Sequence, residues 1–196
     1  MANATQSKWQ AERLQPAISQ RLKKTIVQGE LAHAYLFAGP SGSGKKALAQ
    51  WMALRLFCEQ PQDSEPDGTC IECQRILSGN HPDVVTAAPD GRQIKVDTIR
   101  RLKAEFTKSG VEGSQKLFII EDAEKMTTSA ANSLLKFIEE PLPGIYILLL
   151  TTNKSAVLPT IRSRTQIIEL QPLPKKILQE MLDQAEIPVG LQSIAL

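Results

Sequence analysis

Gly39-Pro-Ser-Gly-Ser-Gly-Lys45-Lys46 is the stretch of this 196-residue sequence that decides the fold. It follows a short apolar run and precedes a segment with helical periodicity, which is the context of a phosphate-binding loop. Gly39, Gly42 and Gly44 would let the backbone turn its N–H groups toward a phosphate, and Lys45 would neutralise that phosphate. The pattern therefore predicts a P-loop. The alternative is a glycine-rich turn that only lets a strand and a helix pack together.

The end of this motif departs from the usual P-loop. Lys46 stands at the eighth position, where Ser or Thr would supply a hydroxyl to magnesium, and a protonated lysine has no lone pair to offer. A later apolar run, residues 117–120, ends in Glu121 and Asp122, whereas P-loop ATPases of this kind usually have Asp before Glu. A solvated strand end explains these carboxylates equally well. We expect ATP and magnesium to bind weakly or not at all, and we expect no hydrolysis by this chain alone.

Short apolar runs alternate with helical patterns along the rest of the chain. Runs bounded by polar or turn residues are typical of strands buried on both faces, and they cover residues 34–38, 84–88, 117–120, 145–150 and 167–170. Helical spacing of apolar residues covers 45–57, 97–109, 127–140 and 175–184. This alternation predicts an α/β fold, with a parallel sheet and helices on both of its faces. We place a domain boundary near residue 171, so that residues 1–171 form one domain and 172–196 begin a helical lid domain.

The composition excludes several classes of protein. Hydrophobic residues make up 42% and charged residues 22% of the chain, which are ordinary globular values. The longest apolar run, residues 145–150, is far shorter than the roughly 20 residues of a membrane helix, so we expect a cytoplasmic protein without membrane contact. The net charge of only +2 gives no global case for nucleic acid. A local basic group forms either a DNA-contacting patch or a solvated helix face: Arg100, Arg101, Lys103 and Lys108.

Three cysteines, Cys58, Cys70 and Cys73, lie in a small insertion that we place at about residues 58–76. Residues 60–69 are rich in Gly, Pro and acidic residues, which favours a loop. Three thiols cannot all pair with one another, and the two-residue gap between Cys70 and Cys73 is typical of metal ligands in reducing compartments. The insertion is therefore a candidate metal site, and disulfides are not expected.

Four stretches taken together resemble one protein family. They are HAYLFAGP at 33–40, SGNHPD at 78–83, AANSLLKFIEEP at 130–141 and IRSR at 161–164. Over residues 9–171 the chain resembles the delta-prime subunits of bacterial DNA polymerase III clamp loaders. The resemblance implies an AAA+ P-loop fold and membership of a five-subunit ring that opens a sliding clamp and places it on primed DNA. The implied partners are the tau or gamma and delta subunits, and in this family the subunit's own nucleotide site is often degenerate.

The resemblance also implies roles for single residues. Arg164 follows Ser163 as in the family's Ser-Arg-Cys motif, with Thr165 in place of the cysteine, and it is implied to act as an arginine finger in the ATP site of a neighbouring subunit. Arg162 is a rival for that role, and a surface salt bridge is the alternative for either arginine. Asn153 follows the fourth apolar run, where such proteins place a polar sensor near the terminal phosphate, or it bonds the local backbone in a turn.

The same family carries a small zinc module with four cysteines. Here Cys58, Cys70 and Cys73 occupy matching places, and we take Ile76 to stand at the fourth, where it offers no ligand. Two interpretations stay open. Either His81, the only nearby imidazole, completes a Cys3His site, or the cysteines are reduced remnants that bind no metal.

Two other functions compete with the clamp loader interpretation. An independent P-loop ATPase or kinase would need the hydroxyl and the carboxylate order that this sequence lacks at Lys46 and at Glu121-Asp122. A zinc-dependent interaction module on a vestigial nucleotide fold would need a complete ligand set. We therefore favour a clamp loader subunit that helps to govern ATP hydrolysis in its neighbour.

Overall fold

The computed structural model describes residues 8–63, 65–107 and 115–184, and a five-stranded sheet lies at its centre. The strands are β1 (Ala34–Ala38), β2 (Val84–Ala87), β3 (Lys116–Ile120), β4 (Ile145–Thr151) and β5 (Gln166–Glu169). They pair in parallel in the order β2-β3-β4-β1-β5. The predicted parallel sheet is therefore confirmed.

Helices connect the strands, and several have recognisable ends. Their bounds are α1 (Gln10–Leu14), α2 (Pro16–Val27), α3 (Lys45–Phe57), α4 (Ile71–Leu77), α5 (Val96–Thr107), α6 (Thr128–Glu139), α7 (Pro159–Arg162) and α8 (Lys175–Gln184). Pro16 begins α2, where a missing N–H costs nothing. The Thr127 hydroxyl caps α6 by accepting a hydrogen bond from the N–H of Ala130 at 3.2 Å. The same helix ends before Pro141, which cannot continue it.

Different helices cover the two faces of the sheet. Side chains alternate along a strand, so Tyr35 and Phe37 of β1 point to one face and Ala34 and Leu36 to the other. The first pair packs with buried residues of α1, α2, α3 and α4. The second pair packs with buried residues of α5, α6 and α7. Helices on both faces were predicted, and the two core clusters confirm them.

The carboxyl ends of the central strands meet at one edge of the sheet. Ala38 at the end of β1 lies beside Thr151 of β4, and Ile120 at the end of β3 lies beside Leu149 of the same strand. The loops after these strands therefore converge at that edge, which is where open α/β sheets bind their ligands. The P-loop and the polar residues after β3 and β4 belong to these loops.

Some predicted bounds differ from the observed ones by a residue. The strand predicted at 84–88 ends at 87, and the one at 167–170 runs from 166 to 169. The helix predicted at 127–140 is shorter at both ends, because its terminal residues serve as caps. Residues 108 and 109, the predicted end of α5, lie outside the described residues.

The helices α1, α2, α4 and the single turn α7 were not predicted. The first two are separated by Gln15, whose backbone is not helical, so neither has a long periodic pattern. The third is a short helix inside the predicted cysteine insertion, with only Cys73 and Ile76 buried. Such short helices depend on packing against the domain more than on their own sequence. Among the described helices, none has the length and apolar character needed to cross a membrane.

Candidate functional site

The P-loop has the backbone that its glycines predict. Gly42 and Gly44 have positive φ angles of 75° and 90°, and Gly44 directly precedes α3. A Cβ atom on Gly44 would lie 2.9 Å from Cδ1 of Leu14, so α1 leaves no room for a side chain there. The amide side chain of Gln15 donates to the carbonyl oxygens of Ser43 at 3.0 Å and of Gln171 at 2.8 Å. The loop is thus held from outside by the N-terminal helices.

The lysine of this loop is bound to the loop itself. Nζ of Lys45 donates to the carbonyl oxygens of Gly39 at 2.7 Å and of Pro40 at 2.8 Å. Burial lowers the pKa of Lys45, and the nearby carboxylates of Glu124 and Asp122 oppose that shift. The ammonium that would meet a phosphate therefore already has two oxygen partners.

Lys46 contacts the carboxylate that a magnesium site would need. Its Nζ lies 2.6 Å from Oε2 of Glu121, which follows β3. The next residue, Asp122, has a positive φ of 49° and pairs with Nζ of Lys125 at 2.9 Å. Both carboxylates predicted for the phosphate site are therefore neutralised by lysines of this chain. This geometry fits a magnesium ion poorly.

Glu124 belongs to the same edge and was not predicted. Its Oε1 accepts hydrogen bonds from the hydroxyl of Thr152 at 2.5 Å and from the N–H of Thr152 at 3.2 Å. Burial would raise the pKa of Glu124, but the hydrogen bonds from Thr151 and Thr152 leave that pKa lowered. The residue thus adds a further negative charge beside Lys45. The Glu-Asp-Ala-Glu run at 121–124 was the only sequence signal for it.

Asn153 caps a turn in this structure. Its Oδ1 accepts hydrogen bonds from the backbone N–H groups of Ser155 at 3.1 Å and Ala156 at 3.3 Å. These bonds begin the 3₁₀ turn Lys154–Ala156. Of the two interpretations of Asn153, local backbone bonding describes its present contacts.

A cavity of about 340 Å³ lies beside the Lys46–Glu121 pair. Its wall is formed by α3 and the neighbouring strands, with Gln50, His81 and Thr86 among the polar lining residues. The P-loop glycines at 39, 42 and 44 do not line it. The cavity therefore adjoins the phosphate site through Lys46 and Glu121 but is not lined by the glycines of the loop.

The two candidate finger arginines differ in their surroundings. Arg164 is exposed just after α7, and its Nε lies 2.7 Å from Oε1 of Glu139 at the end of α6. Arg162 is half-buried, and its Nε has no hydrogen-bond partner among the described residues. Arg164 is the more exposed of the two, and a neighbouring subunit could meet it there.

The basic face of α5 is partly engaged within the chain. Arg100 pairs with Asp97 at 3.1 Å, and Nζ of Lys103 lies 4.8 Å from the ring centroid of Phe137. Lys108 lies outside the described residues. These contacts favour a structural role for this face, although they leave its outer surface open to a partner.

A fourth candidate ligand joins the three cysteines. The ligand atoms of Cys58, Asp67, Cys70 and Cys73 all lie within 4.8 Å of one another. Asp67 accepts hydrogen bonds from the Cys70 N–H at 2.9 Å and, through its other oxygen, from the Cys58 thiol at 3.2 Å. The sequence signal was the spacing Asp-x-x-Cys-x-x-Cys, which repeats the two-residue gap of the cysteines.

The structure places Asp67, rather than Ile76 or His81, beside the three cysteines. Ile76 is buried in the core beside α3, and His81 is engaged elsewhere. Nε2 of His81 lies 2.7 Å from Oε2 of Glu72, and its Nδ1 accepts the N–H of Asp83 at 3.1 Å. In the sequence, the expected fourth position lies after Cys73, whereas the loop brings Asp67 from before Cys70.

The donor set and its spacing fit a metal ion. The Sγ atoms of Cys58 and Cys70 are 4.0 Å apart, close to the roughly 3.8 Å between two sulfurs bound tetrahedrally at about 2.3 Å from zinc. Hydrogen bonds, the first from Thr69, hold the pKa of Asp67 well below its ordinary range. Burial raises the pKa of Cys58 and of Cys73. This group of residues could hold a metal ion.

The loop that carries Asp67 is fixed from both sides. Gly68 has a φ of 69°, and a Cβ atom there would lie 2.8 Å from the ring of Trp9. Lys8 donates to the Asp67 carbonyl oxygen at 2.5 Å. Glu65 approaches the buried guanidinium of Arg55 at 3.5 Å. The N-terminal segment and α3 thus hold the ligand loop in place.

Comparison with known proteins identifies relatives. The family model described as "DNA polymerase III, delta subunit" matches residues 14–174. DNA polymerase III subunit delta' of Bacillus subtilis is 42% identical over 174 residues, which cover 89% of this chain and 53% of the relative. The same subunit of Pseudomonas aeruginosa is 40% identical over 145 residues, covering 73% and 44%. The chain therefore spans about half the length of these relatives.

Solved structures show the same fold. A DNA polymerase III gamma subunit-related protein of Thermotoga maritima is 24% identical with a TM-score of 0.58, covering 84% of this chain and 49% of the other. A mutant of RuvB from the same organism is 19% identical with a TM-score of 0.54, covering 89% and 50%. At this level of identity the likeness concerns the fold alone. Together with the parallel sheet, it confirms an AAA+ P-loop fold.

Proposed function

Because this chain belongs to the DNA polymerase III delta-prime family, we propose that it is the nucleotide-fold part of a clamp loader subunit. In that role it joins tau or gamma and delta subunits in a ring and helps to place the sliding clamp on primed DNA. The observation that carries the proposal is the contrast between two regions. In the chain's own phosphate site, Lys45 is bonded to the loop backbone and Lys46 is paired with a carboxylate. Arg164, in contrast, is exposed at the surface.

In this proposal, this chain and the neighbouring subunit have different parts in ATP hydrolysis. This chain contributes no hydrolysis, since its carboxylates are already paired with lysines. Its Arg164 enters the ATP site of the neighbouring tau or gamma subunit and stabilises the charge that develops on the γ-phosphate. Residues 172–196 begin the lid domain, and the protein works in the cytoplasm, where its thiols stay reduced. An independent ATPase or kinase is disfavoured by the Lys46–Glu121 contact.

Assembly tests the proposal. The full-length protein that contains this chain is expected to form a stable complex when mixed with tau or gamma and delta subunits. Size-exclusion chromatography with light scattering gives the mass, and electron microscopy gives the shape. The expected particle is a five-subunit ring that contains one copy of this protein. If the protein stays monomeric beside a ring formed by the other subunits, the proposal fails.

Nucleotide binding provides a second prediction. Mg-ATP is expected to bind the purified chain with a dissociation constant in the millimolar range or not at all. Lys46→Thr supplies the missing hydroxyl and frees Glu121, so we expect it to tighten binding by roughly 10- to 100-fold, since one charge-assisted contact contributes about 1.5–3 kcal/mol. Isothermal titration calorimetry measures both constants.

Lys46→Met is the matched control for this experiment. It removes the positive charge without adding a magnesium ligand, so it should gain less affinity than Lys46→Thr. Micromolar binding together with ATP turnover by the unchanged chain would favour an independent ATPase and contradict the proposed division of roles.

For the cysteine insertion we infer a structural zinc ion. Three sulfurs and one carboxylate oxygen form a four-ligand set, and structural zinc sites are closed with four protein ligands. The ion would join the end of α3, which Cys58 follows, to the start of α4. Cys58, Asp67, Cys70 and Cys73 would hold it, and its contribution would be to the stability of the insertion rather than to catalysis.

A further inference from the structure

The guanidinium group of Arg164 is held through two of its three nitrogens. Its Nε lies 2.7 Å from the Glu139 carboxylate. Its Nη1 donates to the carbonyl oxygen of Thr160 at 3.1 Å and lies 3.3 Å from the hydroxyl of Ser163. Within the part of the chain that the structure describes, Nη2 has no hydrogen-bond partner. The group is thus oriented through Nε and Nη1, and Nη2 is left for a partner.

Glu139 is itself on a well-fixed element. It is the last residue of α6, whose buried stripe includes Leu134 and Ile138. The end of that helix is tied to the sheet, because Nε2 of His33 lies 2.8 Å from the carbonyl oxygen of Ile138. The carboxylate that meets Arg164 therefore projects from a rigid support.

We propose that Glu139 is a positioning residue for the Arg164 finger, an inference that rests on the proposed function above. A long side chain that is free at its tip samples many rotamers, and only a few of them point outward from this surface. The contact with Glu139 fixes the plane of the guanidinium before the neighbouring subunit arrives. Such preorganisation raises the rate without adding a contact to the nucleotide.

The geometry separates this role from a plain surface ion pair. The side chains of Arg164 and Glu139 are 41% and 45% exposed, so solvent screens their attraction and its effect on folding stability is small. The direction of the guanidinium, however, depends on the carboxylate. The loss of Glu139 should therefore alter the reaction in the neighbouring site more than the stability of this chain.

The test uses the reconstituted complex with the full-length subunit. Glu139→Ala is expected to lower kcat for DNA-stimulated ATP hydrolysis by about tenfold and to leave KM for ATP unchanged, because a misplaced group acts on the transition state. Glu139→Gln should retain part of the rate, since it keeps a side-chain oxygen in the position beside Nε. Glu140→Ala is the matched control: this exposed neighbour makes no ion pair with any described residue, and its rate should stay unchanged.

A double variant identifies the route of the effect. If Glu139 acts through Arg164, Glu139→Ala should lower the rate no further in an Arg164→Ala background. A further loss of rate in that background overturns the inference about Glu139. So does a rate of Glu139→Ala equal to that of the Glu140→Ala control in the native background. Neither result contradicts the finger role of Arg164. A faster rate in Glu139→Ala also overturns it, since Glu139 would then restrain the finger. Unchanged hydrolysis in Arg164→Ala alone would contradict both the finger role of Arg164 and the positioning role of Glu139.

Discussion

Arg164→Ala in the assembled complex is expected to reduce ATP turnover at the adjoining site by about 10³-fold, in line with the 10³–10⁵-fold effects of such fingers in GTPases. The guanidinium is planar, permanently charged and able to meet a phosphate with two N–H groups. In this structure Nη2 has no hydrogen-bond partner among the described residues, so its two N–H groups are available to a neighbour. Single-turnover hydrolysis at the site next to this subunit measures the effect, and clamp loading on primed DNA should fall with it.

The controls for this prediction come from the same short segment. Arg162→Ala should do less, because Arg162 is half-buried whereas Arg164 is exposed. Arg164→Lys keeps the charge but loses the fork of donors, so it should stay well below the native rate. Ring mass and thermal stability should be unchanged in all three variants. Normal hydrolysis in a correctly assembled Arg164→Ala ring would show that this arginine only forms a surface ion pair.

Much of the fold could be predicted because its signals are local. The strands are short apolar runs, since a sheet covered on both faces leaves no polar face to reveal. The positive φ angles of Gly42 and Gly44 follow from the need for a tight turn between β1 and α3. The loss of the magnesium-binding hydroxyl is also visible in the sequence, because Lys46 stands at that position whatever the surrounding structure does.

The remaining features depend on contacts between distant parts of the chain. That Lys46 reaches Glu121 follows from the arrangement of α3 and β3, and no spacing in the sequence encodes it. Glu139 lies 25 positions before Arg164 in the sequence and meets it only because α6 packs beside α7. Asp67 was overlooked because an aspartate in a loop of acidic and turn residues resembles an ordinary solvated group. Its position beside the three cysteines follows only from the folded loop, which Gly68 and Trp9 hold in place.

The second prediction with a large effect concerns that aspartate. The protein is expected to carry one zinc ion per chain, and Asp67→Ala should weaken zinc binding by about 10²-fold or more, because a three-thiolate site is left open to water. Asp67→Cys should have the opposite effect, since a fourth thiolate is a softer ligand for zinc. Elemental analysis gives the stoichiometry, and competition with a chelator gives the affinities.

Removing the metal should also lower the stability of the chain. A ligand that binds only the folded state stabilises it by about 4 kcal/mol when its free concentration is 1,000 times the dissociation constant. Thermal unfolding with and without chelator should therefore show a clear loss for the native chain and a smaller one for Asp67→Ala. Glu59→Ala is the matched control, because this exposed carboxylate adjoins Cys58 but lies outside the ligand group. If Asp67→Ala and Asp67→Cys both bind zinc with the affinity of the native chain, Asp67 is not a ligand. If the native chain takes up no zinc, the cysteines are reduced remnants whose closeness reflects packing alone.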